Sequence, residues 1–132
     1  MSGTGALRLS IAFLRKFLPP HTAVYIPDPT WQNHVNILND CGFHDIRRYR
    51  YFAKPTNSFD FQGALEDLEK APRKSVVLFH ACAHNPTGID PTPQQWEQLS
   101  QVCKKRDLVI LFDSAYQGFA SGDAMRDATS YL

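Results

Sequence analysis

Short continuous apolar runs alternate along the chain with longer segments in which apolar residues recur every three or four positions. Residues 75–79 and 108–112 have no polar face, which is typical of strands buried on both sides of a sheet. Residues 23–26 form a third short apolar run, and residues 45–52 are rich in residues that favour extended structure. Helical spacing predicts four helices, over residues 5–18, 31–40, 61–71 and 93–105.

Residues that favour helix ends and turns set these boundaries. Pro19-Pro20 ends the first helix, because proline cannot continue one. Thr30 and Asp60 are predicted N-caps of the second and third helices. Residues 92–95 read Thr-Pro-Gln-Gln, a predicted capping box for the fourth helix. Asn57-Ser58 predicts a turn before the third helix.

Strands that alternate with helices of this length predict an α/β fold, with a mostly parallel sheet flanked by helices. Its 132 residues are enough for a single domain, spanning residues 1–132. Parallel sheets of this kind bind ligands beyond the carboxyl ends of their strands. Polar residues that follow the apolar runs are therefore the first candidates for a site.

Charge and composition remove several classes of function. Fourteen basic and thirteen acidic residues give a net charge of +1, which argues against nucleic-acid or anionic-lipid binding. Three separated cysteines without C-x-x-C spacing argue against a disulfide framework or a zinc ribbon. The apolar runs are too short to span a bilayer, and the N-terminus has no signal-peptide pattern. We therefore expect a soluble, intracellular protein.

The segment Ser2-Gly3-Thr4-Gly5 precedes the first predicted helix. Small residues allow backbone N–H groups to approach an anion, and a helix N-terminus favours negative charge, so this segment is a candidate phosphate site. The alternative is a flexible terminus without a ligand. Neither G-x-G-x-x-G nor a P-loop lysine follows, which disfavours an unrelated nucleotide-binding domain.

His80, Cys82 and His84 recur at period two after the buried run, a spacing that could present three metal ligands on one face of a strand. However, residues 85–88 read Asn-Pro-Thr-Gly, a turn that would bend His84 away. We therefore predict no metal site. Asn85 is either a turn former or an amide that faces a ligand beyond the strand.

Asp113 follows the last apolar run, where a carboxylate is costly to bury unless it has a partner. It is a candidate site residue or a strand-end cap. Tyr116 and Trp31 are each either core aromatics or ligand contacts, and His34 lies one helical turn after Trp31. The three arginines in residues 47–50 are expected on a solvated strand edge.

Four motifs occur in a characteristic order and together cover nearly the whole chain. They are Ser-Gly-Thr-Gly-Ala-Leu-Arg at 2–8, Pro-Thr-Trp-x-Asn-His at 29–34, His-Ala-Cys-Ala-His-Asn-Pro-Thr-Gly at 80–88 and Phe-Asp-Ser-Ala-Tyr-Gln-Gly-Phe-Ala-Ser-Gly at 112–122. In these motifs the chain resembles the aspartate aminotransferases, pyridoxal-phosphate enzymes of fold type I. The sequences of residues 88–93 and 113–116 resemble the cytosolic branch of the family more than the mitochondrial branch. This resemblance implies a cytoplasmic protein rather than a mitochondrial one.

The resemblance implies a pyridoxal 5'-phosphate site. The phosphate would be held by Ser2, Gly3 and Thr4. Trp31 would stack on the pyridine ring, and Asp113 would pair with the ring nitrogen. His34 would support Asp113 by a hydrogen bond.

Further residues would complete the same site. Asn85 and Tyr116 would hydrogen-bond the 3-oxygen of the ring, which favours its ionised form. His80 would lie near this network in a supporting role. The reaction implied is transfer of an amino group between L-aspartate and 2-oxoglutarate, which gives oxaloacetate and L-glutamate. The resemblance also implies a homodimer that takes amino-acid and 2-oxo-acid substrates.

The resemblance also identifies what this chain lacks. The family's Schiff-base lysine is expected beyond residue 132, and none of the six lysines present lies in a similar Ser-x-x-Lys context. The arginines that bind substrate carboxylates, the N-terminal arm and the small domain are missing as well. We therefore expect the central part of a large domain, with no catalytic residue of its own and no transaminase activity alone. The alternative is a shortened, non-catalytic homologue that binds a ligand or partner.

Overall fold

The computed structural model describes residues 2–131 and forms an α/β fold with a parallel sheet, as the sequence predicts. The four strands of the main sheet are β1 (Val24–Asp28), β2 (Ile46–Arg50), β5 (Val76–His80) and β6 (Val109–Asp113). A small antiparallel hairpin consists of β3 (Phe52–Ala53) and β4 (Ser58–Phe59). The helices are α1 (Gly3–Phe17), α2 (Gln32–Asp40), α3 (Phe61–Glu69), α4 (Pro93–Arg106) and α5 (Ala124–Asp127).

The main sheet has the strand order β2-β1-β5-β6, and each neighbouring pair is parallel. The chain leaves β1 first toward β2 on one side and later reaches β5 on the other. The direction in which the chain adds strands therefore reverses between β1 and β5. In α/β sheets, ligands bind beyond the carboxyl ends of the strands at such a point. In the pairing of β5 with β6, His80 lies opposite Asp113.

Alternate residues of the strands point to opposite faces of the sheet, and each face has its own core. Val24 and Leu78 pack with buried residues of α1 and α2. Tyr25 and Phe79 pack on the other face with buried residues of α3 and α4. Helices thus cover both faces, which explains why the apolar runs of β5 and β6 have no polar side, whereas β2 at the sheet edge carries three exposed arginines.

Two of the predicted helix caps are present. The Asp60 side chain accepts a hydrogen bond from the Gly63 N–H at the start of α3. Thr92 and Gln95 form the reciprocal capping box of α4, with Pro93 as the first helical residue. Local sequence is sufficient to fix these two boundaries.

The prediction for Thr30 is wrong. Trp31 is the N-cap residue of α2, without a side-chain cap hydrogen bond, and the Thr30 hydroxyl instead contacts two histidine rings. These tertiary partners compete successfully for a hydroxyl that could otherwise have capped the helix.

Several other boundaries differ from the prediction. Helix α1 begins at Gly3 rather than after Gly5, with Ser2 as its N-cap residue. Strand β1 continues through Pro27 to Asp28; its pairing with β5 covers only Val24 and Tyr25, so Pro27 lies beyond that ladder. Ser58 lies in β4 rather than in the turn, and the short helix α5 was not predicted.

None of the helices in residues 2–131 has the length and apolar character needed to cross a membrane.

Candidate functional site

The carboxyl ends of β1, β5 and β6 meet the N-terminus of α1 around one cavity of about 230 Å³. Parallel strands present their carboxyl ends at the same edge, so residues distant in sequence come together here. The cavity is lined by Gly3, Thr4, Trp31, His80, Cys82, Ala83, Asn85, Asp113, Ala115 and Tyr116.

Most of the site residues named from the sequence line this cavity. His34 lies behind the wall, fully buried, with its ring edge-to-face against Trp31 at a centroid distance of 5.4 Å. Tyr116 is 45% exposed, so its phenol is open to solvent at the rim. Ser2 is not among the lining residues, and its side chain forms no cap hydrogen bond.

The Asp113 carboxylate is held by one buried imidazole. Its Oδ2 lies 2.8 Å from Nε2 of His34, whose side chain is fully buried, while the Asp113 side chain is 23% exposed. The hydrogen bond from His34 lowers the pKa of Asp113 below its ordinary value. Asp113 is therefore anionic at neutral pH, and within residues 2–131 no second donor occupies its other oxygen.

A hydrogen-bond chain extends from Asp113 across the back of the cavity. Thr30 Oγ1 lies 2.8 Å from Nδ1 of His34 and 3.2 Å from Nε2 of His80. The backbone N–H of Asn85 donates to Nδ1 of His80 at 3.2 Å. Asn85 and Asp113 are thereby connected through two imidazoles and one hydroxyl.

The directions of three hydrogen bonds in this chain follow from their ends. The Asn85 N–H can only donate, so Nδ1 of His80 accepts and its Nε2 carries the hydrogen. Thr30 accepts the hydrogen bond from Nε2 of His80. A carboxylate can only accept, so Nε2 of His34 donates to Asp113.

The assignment requires a neutral His80, and burial makes it so. Desolvation, with smaller contributions from His84 and His34, lowers the pKa of His80 to about 3. Desolvation likewise lowers the pKa of His84 to about 4. The ring of His84 stacks on Tyr51 at a centroid distance of 3.7 Å and lies 4.3 Å from that of His80.

The alternative of a metal site is not supported by this arrangement. The strand ends at His80, and the chain turns at Ala83, which has a left-handed φ of +47°. Nδ1 of His84 is hydrogen-bonded to Thr87, and both ring nitrogens of His80 have the partners described above. Within residues 2–131, no cluster of histidine, cysteine and carboxylate side chains is arranged to hold a metal ion.

The N-terminus of α1 provides the opposite electrostatic environment. The first N–H groups of a helix have no partner within the helix and attract anions. Gly3 and Thr4 belong to this first turn, and no other protein atom lies within 4 Å of where a Cβ on Gly3 would be. This end of the helix is therefore open toward the cavity.

The cavity combines features that fit one kind of ligand. A carboxylate at the end of β6 suits a cationic ring nitrogen, and Trp31 provides an aromatic surface. The helix N-terminus suits an anionic group, while Asn85 and Tyr116 offer hydrogen-bond donors. These groups match pyridoxal 5'-phosphate, a flat heteroaromatic ring that carries a phosphate.

Two residues that shape the site were not recognised in the sequence. The sequence pattern predicts only a helix cap for Thr30 and no role for Asp90, whose carboxylate accepts hydrogen bonds from the N–H groups of Ala83 and His84. Neither residue belongs to a local pattern that predicts these partners. Only the Pro-Thr-Trp and Gly-Ile-Asp-Pro wording of the motifs could have drawn attention to them.

Comparison with known proteins identifies the family. The family model for "Aminotransferase class I and II" matches residues 1–131. This chain belongs to that family.

Curated relatives of this aminotransferase chain include proteins of two compartments. The mitochondrial aspartate aminotransferase of Gallus gallus is 53% identical over 97% of this chain and 30% of its own length. The cytoplasmic aspartate aminotransferase of the same species is 52% identical over 97% of this chain and 32% of its own length. This aminotransferase chain therefore spans about a third of the length of these relatives.

Solved structures match its fold closely. The crystal structure of aspartate aminotransferase from Trypanosoma cruzi has a TM-score of 0.93 and 48% identity, covering 98% of this chain and 33% of that one. The aromatic-amino-acid aminotransferase of Burkholderia pseudomallei, solved with covalently bound pyridoxal phosphate, has a TM-score of 0.92 and 41% identity, covering 98% and 32%. The parallel sheet and its flanking helices are thus those of known aminotransferases.

Proposed function

We propose that this chain is the cofactor-binding part of an aspartate aminotransferase and holds pyridoxal 5'-phosphate in the cavity beyond β1, β5 and β6. The observation that carries the proposal is the Asp113 carboxylate, which lines the cavity and is held from behind by the buried His34. The bound pyridoxal phosphate of the Burkholderia pseudomallei relative supports the same ligand class.

When bound, pyridoxal phosphate supplies an electron-withdrawing ring for exchange of an amino group between amino and 2-oxo acids. Asp113 keeps a proton on the ring nitrogen, because a carboxylate next to that nitrogen raises its pKa. His34 keeps Asp113 oriented and anionic through the 2.8 Å hydrogen bond. Thr30 holds the His34 ring at Nδ1 and is itself held by His80.

The remaining lining residues hold the other groups of the ligand. Gly3 and Thr4, with Ser2 next to them, bind the phosphate at the N-terminus of α1. Trp31, which lines the cavity, would stack on the ring. The Asn85 amide and the Tyr116 phenol, also in its lining, would hydrogen-bond the 3-oxygen.

Catalysis requires a lysine, and no lysine lines the cavity within residues 2–131. We therefore propose that this chain binds the cofactor but does not catalyse transamination on its own. An enzyme that combined this part with the lysine-bearing part and the small domain would be a homodimer. It would transfer the amino group between L-aspartate and 2-oxoglutarate. On the motif wording at 88–93 we propose a cytoplasmic protein, which subcellular fractionation tests.

Binding can be tested with pyridoxamine 5'-phosphate, which has no aldehyde and cannot react with surface lysines. We expect saturable quenching of Trp31 fluorescence, measured in a Trp96→Phe background. Asp113→Ala should weaken binding by about tenfold or more, because a charge-assisted hydrogen bond to the ring is lost.

The matched control is Asp40→Ala, which removes a surface carboxylate that is 67% exposed and should leave the affinity unchanged. Equal affinity of the Asp113→Ala and unaltered chains would contradict the assigned site. With pyridoxal phosphate, L-aspartate and 2-oxoglutarate, the chain should form no oxaloacetate above the rate of free cofactor.

A further inference from the structure

The loop that follows β5 is held in an unusual conformation by a residue outside the cavity. Ala83 has a left-handed φ of +47°, which L residues with a Cβ disfavour. Two residues later the chain reaches Asn85, which lines the cavity. Something must maintain the turn at Ala83 if Asn85 is to keep its position.

The Asp90 carboxylate provides this restraint. Its Oδ2 accepts the N–H of Ala83 at 2.6 Å and its Oδ1 accepts the N–H of His84 at 2.9 Å. Successive N–H groups around a left-handed residue form a concave site that binds anions, and here the anion is a side chain of the same loop. Both oxygens of Asp90 are used on the two peptide groups that flank the turn.

Asp90 neither caps helix α4 nor lines the cavity. The N-terminus of α4 is already capped by the box of Thr92 and Gln95, so the helix does not need it. Asp90 does not line the cofactor cavity either; it borders a separate depression with Arg126. Within residues 2–131, the Asp90 side chain accepts hydrogen bonds from the two N–H groups of the turn and from no other group.

We propose that Asp90 is the positioning residue for Asn85: by clamping the left-handed turn at Ala83 it sets where Asn85 meets the cavity. The Asn85 N–H also donates to His80 at 3.2 Å, so the same clamp fixes one end of the hydrogen-bond chain to Asp113. The proposal rests on the proposed function for what the Asn85 amide binds, but the placement itself can be tested without any ligand.

The ligand-free test is amide hydrogen exchange followed by NMR. Asp90→Asn keeps the shape but turns an NH₂ group toward one of the two N–H donors. We expect exchange at Asn85 to accelerate about tenfold, because its bond to His80 depends on the turn. Asn85 is the decisive residue, since its N–H does not bond Asp90 directly. Unchanged exchange at Asn85 would overturn the proposal.

Asp60→Asn is the matched control. Asp60 also accepts a backbone N–H, that of Gly63 at 3.0 Å, and lies outside the residues that line the cavity. Its substitution should accelerate exchange at Gly63 and leave Asn85 unchanged. If Asp60→Asn accelerated Asn85 as much as Asp90→Asn does, general destabilisation would explain both, and the proposal would fail.

A rescue distinguishes positioning from a general structural role. Glycine adopts the left-handed conformation without a steric cost, so Ala83→Gly should restore part of the protection of Asn85 in the Asp90→Asn chain, by about threefold. No recovery, with folding retained, would mean that Asp90 does not act through the turn.

The ligand-bound test compares pyridoxamine 5'-phosphate with its analogue that lacks the 3-oxygen. Asp90→Asn should weaken binding of the first by about as much as Asn85→Ala does, about tenfold, and leave binding of the second unchanged. Combining the two substitutions should add nothing further. Equal loss for both ligands, or additive losses, would overturn the proposal. If the unaltered chain bound neither ligand, the proposed function would fail, and exchange at Asn85 would still decide the role of Asp90.

Discussion

Two sets of hydrogen bonds to carboxylates in this chain have nearly the same lengths but different surroundings. At the end of β6, Asp113 meets His34 at 2.8 Å with the His34 side chain fully buried. Along β2, Arg47, Arg48 and Arg50 meet carboxylates at 2.8–2.9 Å with about half of each arginine side chain exposed. The first set lies at the cavity and the second faces solvent.

The comparison shows that contact distance alone does not measure what an ionic interaction does. Exposed pairs stabilise a fold little, because water screens them and long side chains lose freedom when they are held. A buried pair cannot lose one partner without leaving the other unsatisfied. The arginines also lower the pKa of their carboxylate partners Asp45, Glu66 and Asp67. These pairs, however, do not line the cavity. Only the buried group combines charge with a cavity.

The largest expected effect uses pH to separate the buried histidines next to the Asp113–His34 pair from the exposed arginine pairs. His80 and His84 are buried neutral with pKa values of about 3 and about 4 against an ordinary value of 6.5. Below pH 6.5 the unfolded chain binds protons that the folded chain does not, so the free energy of unfolding falls as pH is lowered toward 4. The slope should reach about 1.4 kcal/mol per pH unit for each histidine.

Urea unfolding at about pH 7.5 and about pH 5 measures this slope. The carboxylates of Asp45, Glu66 and Asp67 should contribute little, because both their ordinary pKa values of 3.8 to 4.5 and their lowered values in the folded chain lie below this window. His84→Phe keeps a ring on Tyr51 and should remove about half of the slope. Equal stability at the two pH values would show that these imidazoles are not buried as neutral groups.

A smaller effect is expected from Thr30→Val, which removes the hydroxyl between two buried rings and keeps the shape. His34 and His80 would each lose a partner for one ring nitrogen. The expected loss is about 1–3 kcal/mol in the free energy of unfolding. Thr56→Val is the control, because that hydroxyl is exposed and its loss should change stability by no more than about 0.5 kcal/mol. Similar losses for the two variants would remove the distinction between buried and exposed networks.

The smallest effect is expected from Arg48→Gln. Its ion pair with Asp28 joins side chains that are 47% and 59% exposed. We expect a change below about 0.5 kcal/mol, which should disappear at about 1 M salt. A loss as large as that of Thr30→Val, measured by the same urea unfolding, would mean that the surface pairs on β2 are not the weak class described above.

The helix N-termini show which structural features a few neighbouring residues can predict. The capping box at Thr92 and the cap at Asp60 were predicted from a few residues and are present, because their partners lie three residues away. Thr30 has the same cap chemistry, but its hydroxyl binds His34 and a histidine fifty residues further along the chain. A local pattern cannot indicate which donors a fold will bring to a side chain.

For the candidate site, the residue pattern predicted the positions of side chains, and the family resemblance predicted their roles. That Asp113 and Asn85 lie at one edge of the sheet follows from their positions after buried runs. Their cofactor roles come from the resemblance to the family and stay a prediction. The hydrogen bond between Asp113 and His34, across 79 residues, was predicted only through that resemblance, and the structure contains it at 2.8 Å.

Sequence by itself therefore determined the order of the four main strands and the four longer helices, the parallel sheet, and the sheet edge at which the candidate residues meet, because periodicity and capping act within a few residues. The structure alone decided which hydroxyl joins His34 to His80 and which carboxylate binds the N–H groups at the Ala83 turn. The first feature depends on segments fifty residues apart in the chain, which meet only when the sheet forms. The second lies within one loop, but its partners are six and seven residues apart, beyond the reach of a capping or turn pattern.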